Sequence, residues 1–279
     1  MAQMVVLNLQ SLQVLDLADM GMEFLETMVG SDGASISYLQ MTKLVMQSVN
    51  HNPSQHDTLT TTGCPFPALC HLEITDGYPF SDDTLFRGNY EMLESLDLAY
   101  GIQAFKVLNE HLAANGAMLC SLRHLTIIHR RWEVGNDGEV MLAAVAPIIQ
   151  RAPSLQSLSV FLSDEYHCTF NVVAWLGCIP KQVRMLSVKG KDLNTNEFIM
   201  LVRELPSLES LTCGLEFDDE TDTSQLGDLS TTNTPISARF RRWNHIINHH
   251  GSNRNSDQWN KILAGLCPNF TYRKTENTP

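Results

Sequence analysis

Residues 151–165, RAPSLQSLSVFLSDE, place four apolar side chains at a fixed spacing along the chain: Ala152, Leu155, Leu158 and Val160. We call this set of four positions the grid. The end of this grid alternates, because the polar Ser159 stands between Leu158 and Val160. A period of two is typical of a short strand that buries one face and turns the other outward. The stretch therefore predicts a strand whose apolar grid lies in a core.

The same grid fits seven further stretches of the chain. The seven are Leu9, Leu12, Leu15, Leu17; Tyr38, Met41, Leu44, Met46; Phe66, Leu69, Leu72, Ile74; Tyr90, Leu93, Leu96, Leu98; Leu119, Leu122, Leu125, Ile127; Pro180, Val183, Leu186, Val188; and Leu205, Leu208, Leu211, Cys213. The second grid position advances by 24 to 33 residues from one copy to the next. A quasi-regular period in this range indicates stacked structural repeats.

Amphipathic segments separate several of these copies. Phe198, Leu201, Val202 and Leu205 follow a helical spacing after the polar stretch 194–197, and similar stripes are Phe105, Leu108, Leu112 and Val140, Ala144, Ile148. One strand–helix unit cannot cover its own apolar face, so neighbouring units must stack. The sequence predicts an α/β solenoid with a curved parallel sheet inside and helices outside.

The grid resembles the leucine-rich repeat family, and the unit lengths are nearest its longer intracellular class with helices on the outer side. The resemblance covers residues 9–213 and implies a horseshoe-shaped solenoid. The Asn or Cys that the family usually places three residues after the last grid position is absent from all eight copies. Without that side-chain ladder we expect irregular repeats.

After Cys213 the repeat pattern stops. Residues 216–222, EFDDETD, carry five acids, and residues 238–250 are rich in Arg and His. We interpret 216–256 as an inserted segment and 257–279 as a degenerate capping repeat, because an uncapped end would expose core and strand edge. On this interpretation residues 1–279 form a single domain with eight repeats over 9–215.

The closing stretch 259–270, WNKILAGLCPNF, together with the repeats is similar to the repeat region of fungal F-box/leucine-rich-repeat proteins. In that family a helical F-box ahead of the repeats docks a ubiquitin-ligase adaptor, so the resemblance implies substrate recognition. The first copy here begins at Leu9, and we expect no F-box ahead of it in this sequence.

Composition narrows the class of partner. A net charge of −12 argues against non-specific nucleic-acid binding, which requires an excess of Lys and Arg, and favours a basic partner. No apolar run approaches the length of a membrane span, so no membrane partner is expected. The seven scattered cysteines predict reduced thiols in a cytoplasmic or nuclear protein, with Cys120 and Cys213 in the core.

Outward positions of the predicted strands form three rows. The start row is Val14, Lys43, His71, Ser95, His124, Ser157, Met185, Ser210; the middle row is Asp16, Val45, Glu73, Asp97, Thr126, Ser159, Ser187, Thr212; and the end row is Ala18, Gln47, Thr75, Ala99, Ile128, Phe161, Lys189, Gly214. Glu73 and Asp97 would lie side by side, which is unfavourable unless a positive group comes to them. The two readings left open are a socket for a partner's Lys or Arg and a pair of ordinary solvated carboxylates.

A rim of aromatic and basic residues follows several strands. The predicted partner-binding set combines this rim with the outward rows: Glu73, Asp97, Tyr100, His124, Thr126, His129, Arg130, Arg131, Trp132, Ser159 and Phe161. Loops at strand ends commonly carry binding residues, and aromatic and Arg side chains are frequent interface anchors. The alternative for Trp132 is ordinary packing beneath its own loop.

Catalysis and cofactor binding have little support in the sequence. Asp97, His124 and Ser157 fall on successive strands, but no nucleophile-elbow motif accompanies them. His245 and His249 would share a face of a helix, yet a His pair without a third ligand is more often a polar surface. We expect no enzyme, cofactor or metal, and predict a scaffold that binds a protein partner. The alternative is a regulator of an enzyme, as in repeat proteins that activate small GTPases.

Overall fold

The structure is a computed structural model that describes residues 12–18, 38–47, 66–75, 91–99, 102–128, 138–161, 171–215, 242–247 and 270–274. The chain falls into two compact units. The first comprises 1–136 and 140–155, and the second comprises 137–139 and 156–279. Each unit is an α/β structure built on parallel strands, as the grid predicts. Curvature of the sheet and a single domain for the whole chain stay predictions.

The first unit contains five strands that pair in chain order. They are β1 (Val14–Ala18), β2 (Lys43–Gln47), β3 (His71–Ile74), β4 (Ser95–Ala99) and β5 (His124–Ile128). Every pairing is parallel and in register on the grid, so Leu15, Leu44, Leu72, Leu96 and Leu125 form one row. Helix α1 (Ile102–Ala114) follows β4, and helix α2 (Gly138–Gln150), which joins this unit from Val140 onward, follows β5.

The second unit also contains five strands that pair in chain order. Its strands are β6 (Ser157–Phe161), β7 (Met185–Leu193), β8 (Ser210–Leu215), β9 (Arg242–Ile247) and β10 (Phe270–Lys274), again parallel neighbours in chain order. Helices α3 (Val172–Leu176) and α4 (Thr195–Glu204) precede β7 and β8. Strand β9 lies within the predicted insertion and contains His245, so the helix considered for that residue is wrong. Strand β10 lies within the predicted capping segment.

The grid positions form the core of both units. Tyr38, Met41, Leu44 and Met46 are 0% exposed, and so are Ala152, Leu155, Leu158 and Val160 of the opening stretch. The predicted helical stripes are buried as well: Phe105, Leu108 and Leu112 on α1, Ala144 and Ile148 on α2, and Phe198, Leu201 and Val202 on α4. Leu12 and Leu15 of the first copy and Pro180 of the seventh are only half-buried. The sequence thus predicted most of the described side chains that leave water, and this burial is the main source of stability.

Neighbouring repeats are joined by backbone hydrogen bonds at the start of six strands, β2 to β5, β7 and β8. There one carbonyl accepts the N–H groups of two consecutive residues of the next repeat, over 2.7–3.1 Å. The accepting residues are Gln13, Thr42, Cys70 and Glu94 in the first unit and Gln156 and Arg184 in the second. Since these bonds use only main-chain groups, they hold the repeats in register without the Asn ladder of the leucine-rich repeat family.

Helix ends are closed by specific contacts. Asn194 and Glu197 form a reciprocal capping box at the start of α4, in which each side chain accepts the other residue's backbone N–H. At the end of α1, Gly116 takes φ +59°, and its N–H and that of Ala117 donate back to the last turn. Arg151 donates to the carbonyls of Leu112 and Ala117, which fixes that end from a later segment.

Tyr38 gives the core a measurable response to alkali. Its ring is fully buried and stacks on Phe66 with 5.5 Å between centroids. Burial raises the pKa of Tyr38 to about 12, from an ordinary value of 10.0. A raised phenol pKa means that the stabilising contribution is complete below pH 10 and is lost as the pH rises towards 12, because only the unfolded chain ionises readily.

We therefore expect the wild-type protein to lose about 1 kcal/mol more unfolding free energy than Tyr38→Phe between about pH 9 and pH 11. Urea unfolding at a series of pH values measures this difference. Other alkaline groups act alike in both proteins and cancel. Parallel pH profiles for the two proteins would contradict the buried, neutral phenol.

Candidate functional site

The outward face of the first unit carries the predicted rows in the predicted register. The start row runs Val14, Lys43, His71, Ser95, His124, and the middle row runs Asp16, Val45, Glu73, Asp97, Thr126. Alternation along each strand places the row side chains opposite the leucine row. The row residues are fixed in position because they stand on hydrogen-bonded strands and not on loops.

Glu73 and Asp97 are direct register partners on β3 and β4. Both are half-buried, and adjacent strands lie about 4.8 Å apart, so two carboxylates share a narrow patch of surface. A pocket of about 70 Å³ opens here and is lined by Lys43, His71, Leu72, Glu73, Ser95 and Asp97. The prediction that these two acids stand together is confirmed.

The pocket has a basic side and an acidic side. Lys43 and His71 stand in the start row, two residues along the strand from the middle row, which is roughly 6.6 Å. Glu73 and Asp97 face them from the middle row. A ligand group that carries an ammonium or guanidinium would bind the carboxylates, and a neighbouring acidic group would meet Lys43. The arrangement suits a polar side-chain pair of a partner protein.

Two outward positions depart from the simple row pattern. Val45 in the middle row is only 4% exposed and Ala99 in the end row only 2%. The polar surface is therefore interrupted on β2, between Asp16 and Glu73. This leaves Glu73, Asp97 and the half-buried Thr126 as the continuous polar part of the middle row in this unit.

The outward face of the second unit differs in chemistry. Ser159, Ser187 and Thr212 are register partners, and Phe161 pairs with Lys189. The Lys189 ammonium lies 4.6 Å from the centroid of the Phe161 ring, a cation–π contact. Gly214 does not continue the end row beside Lys189, because the β7–β8 register shifts after Ser187 and Gly214 pairs with Asp192. The additional residues of β7 between Ser187 and Asp192 make the pairing irregular there, which the outward pattern could not predict.

Of the remaining predicted binding residues, some lie within the described part of the chain and some lie outside it. His124 is exposed and in register with Ser95, while Asp97 is in register with Thr126, so the Asp97 and His124 of the triad alternative occupy different rows. Tyr100, His129, Arg130, Arg131 and Trp132 lie outside the described residues. The predicted rim stays a prediction.

Three thiols in the described part of the chain, those of Cys70, Cys120 and Cys178, are free. Cys213 is buried as predicted, but Cys120 is exposed, because it lies in the turn between Leu119 and Leu122 and not on the grid. Burial raises the pKa of the Cys178 thiol to about 11, and this thiol donates to the carbonyl of Trp175. Among the described residues, no three His, Cys, Asp or Glu side chains are grouped to hold a metal ion.

No protein-family model matches the sequence, and no curated protein is significantly similar to it. Within the described residues, no helix has the length and apolar character needed to cross a membrane. The function must accordingly be argued from the residues of the outward face.

Proposed function

We propose that this protein is a non-catalytic scaffold of the leucine-rich repeat type that binds a protein partner on the outward face of its parallel strands. The observation that carries the proposal is the Glu73–Asp97 register pair beside a pocket that also holds Lys43 and His71. The regular grid of buried leucines supports the repeat type, although the side-chain ladder of that family is absent.

The energetics of the pair favour an interaction role. Like charges directly opposed on adjacent strands repel each other, and Lys43 and His71 are the basic side chains that line the same pocket. A Lys or Arg of a partner would relieve that repulsion, and Arg could bind with two parallel hydrogen bonds. Because the strands hold both acids in place before binding, little conformational freedom is lost in forming the contact.

A narrower form of the proposal is substrate recognition for an F-box-type ubiquitin ligase, and its support is the resemblance of the repeats and of residues 259–270 to that class. The alternative is regulation of an enzyme such as a small GTPase, and the acidic middle row gives it some support. Co-purification with the ligase adaptor would favour the first, and an altered GTPase rate on addition of the protein would favour the second.

The test is position-specific photo-crosslinking in cells. A photoreactive amino acid at the exposed His124, one strand beyond Ser95, is expected to crosslink a discrete partner band. The matched control places the same group at the exposed Glu110 on helix α1 of the same unit, where no band is expected. Equal crosslinking from the two positions, or none from His124, would contradict binding on this face.

A further inference from the structure

Four side chains of the second unit form a compact group on its outward face. Ser159 and Phe161 stand on β6, and their register partners on β7 are Ser187 and Lys189. We call these four residues the β6–β7 quartet. Its two hydroxyls lie about one strand spacing apart, about 4.8 Å, and the ammonium of Lys189 is held over the ring of Phe161 at 4.6 Å.

Lys189 differs from the other cations described nearby. Lys181 pairs with Glu204 at 2.7 Å, and Arg184 lies 3.7 Å from Glu209. Lys189 has a ring and no carboxylate as its neighbour among the described residues. It stands where the register between β7 and β8 shifts, so no residue of β8 pairs with it in the register of the earlier strands. This position thus presents a positive charge that pairs with no carboxylate among the described residues.

The two serines supply hydrogen-bond donors beside this charge. Ser159 and Ser187 are half-buried, and within the described residues neither hydroxyl has a hydrogen-bond partner. Thr212 adds a third hydroxyl in register on β8. Hydroxyl groups rotate to donate in whichever direction an acceptor offers. The surface is therefore equipped to donate several hydrogen bonds to one acceptor-rich group.

The sign of the charge on this face decides the class of ligand. The chain has a net charge of −12, yet none of the described outward side chains of β6 to β8 is acidic. They are Ser157, Ser159, Phe161, Met185, Ser187, Lys189, Ser210 and Thr212. Among these eight described side chains, an anion meets donors and one ammonium and no carboxylate.

We propose that the β6–β7 quartet binds a phosphoserine or phosphothreonine of a protein partner. A phosphomonoester carries close to two negative charges and three strong acceptor oxygens. It can accept from two hydroxyls about 4.8 Å apart and from Lys189 at the same time, whereas a carboxylate offers only two oxygens and one charge. Met185, 43% exposed, and Phe161 provide apolar surface for the residues that flank the phosphate.

This inference rests on the proposed role as a protein-binding scaffold, but uses residues other than Glu73 and Asp97. The probes are short fluorescent peptides with a fixed central residue and mixed flanking residues, in three sets that carry phosphoserine, serine or glutamate. Fluorescence anisotropy with the full chain is expected to show binding of the phosphoserine set at least about tenfold tighter than either other set.

Variants assign that preference to the quartet. Lys189→Met and Ser187→Ala are each expected to weaken phosphopeptide binding, Lys189→Met by at least about tenfold, while Lys181→Met, with the same loss of charge, leaves it unchanged. Circular dichroism confirms that each variant is folded. Equal binding of the phosphoserine and glutamate sets, or equal losses in Lys181→Met and Lys189→Met, overturns the inference. Absence of phosphopeptide binding beside intact His124 crosslinking overturns this inference and leaves the proposed function standing.

Discussion

Replacement of Leu96 by alanine is expected to lower the free energy of unfolding by about 3 kcal/mol. Leu96 is 0% exposed and lies between Leu72 and Leu125 in the leucine row of the first unit. The substitution removes three buried carbon atoms and leaves a cavity that the flanking strands cannot close without breaking their shared register. Urea unfolding followed by far-UV circular dichroism measures the change.

Met92→Ala is the matched control, because Met92 precedes the same strand but is 49% exposed. It also removes a long apolar side chain, and it should cost less than about 0.5 kcal/mol, since little surface leaves water there on folding. Because the two residues lie close together in the chain, a difference between the two variants reports the effect of burial. Similar losses for the two variants would mean that the leucine row is not the packed core of the unit.

The buried core was predictable because the same placement of apolar side chains has to recur in every repeat. A strand that buries one face needs apolar side chains at alternate positions, and each repeat needs the same arrangement to continue its neighbour's core. Leu44, Leu72 and Leu125 therefore occupy the same position in their repeats, and this position recurs at nearly regular intervals in the sequence. The same logic located the outward residues Glu73 and Asp97 as register partners, since their places follow from the grid.

Other features depend on contacts that leave no periodic trace in the sequence. The carbonyls of Gln13 and Thr42 join repeats through the main chain, which is the same for every residue type. The irregular pairing of β7 after Ser187 is a register shift between two strands, and single-strand alternation carries no information on it. Burial of Val45 at an outward position likewise follows from tertiary surroundings and not from local pattern.

The candidate site was predictable only in part for the same reason. The grid gives the row in which Glu73 and Asp97 stand, but it does not show that Lys43 and His71 line the same pocket. In the second unit, Ser159 and Phe161 were predicted as contact residues, whereas the placement of Lys189 over the ring depends on side-chain packing across strands. Sequence thus locates positions on a surface, and the structure shows which of them act together.

Reversal of both acids, Glu73→Lys with Asp97→Lys, is expected to weaken partner binding by about a hundredfold. A partner Lys or Arg that was attracted would then face two ammonium groups beside Lys43, and loss of a desolvated charge pair costs about 3 kcal/mol, which is roughly a factor of a hundred. Titration of the crosslinked partner against wild type and variant measures the ratio. Residual binding by the variant should also be less sensitive to salt.

The matched control is Glu91→Lys with Glu94→Lys, which changes the net charge equally on exposed residues of the turn before β4. It should leave the affinity within about threefold, since exposed charges outside the contact act mainly through screened long-range attraction.

The uncharged pair Glu73→Gln with Asp97→Asn distinguishes a role of the two carboxylates in binding from a role in folding. Removal of the like-charge contact should raise the free energy of unfolding of the free protein by about 0.3 kcal/mol, while it lowers affinity for the partner. That combination, a more stable free protein and a weaker complex, is the result expected of carboxylates whose role is binding. If the neutral pair is instead less stable than wild type and binds the partner equally well, the two carboxylates have a structural role and the proposed socket is wrong.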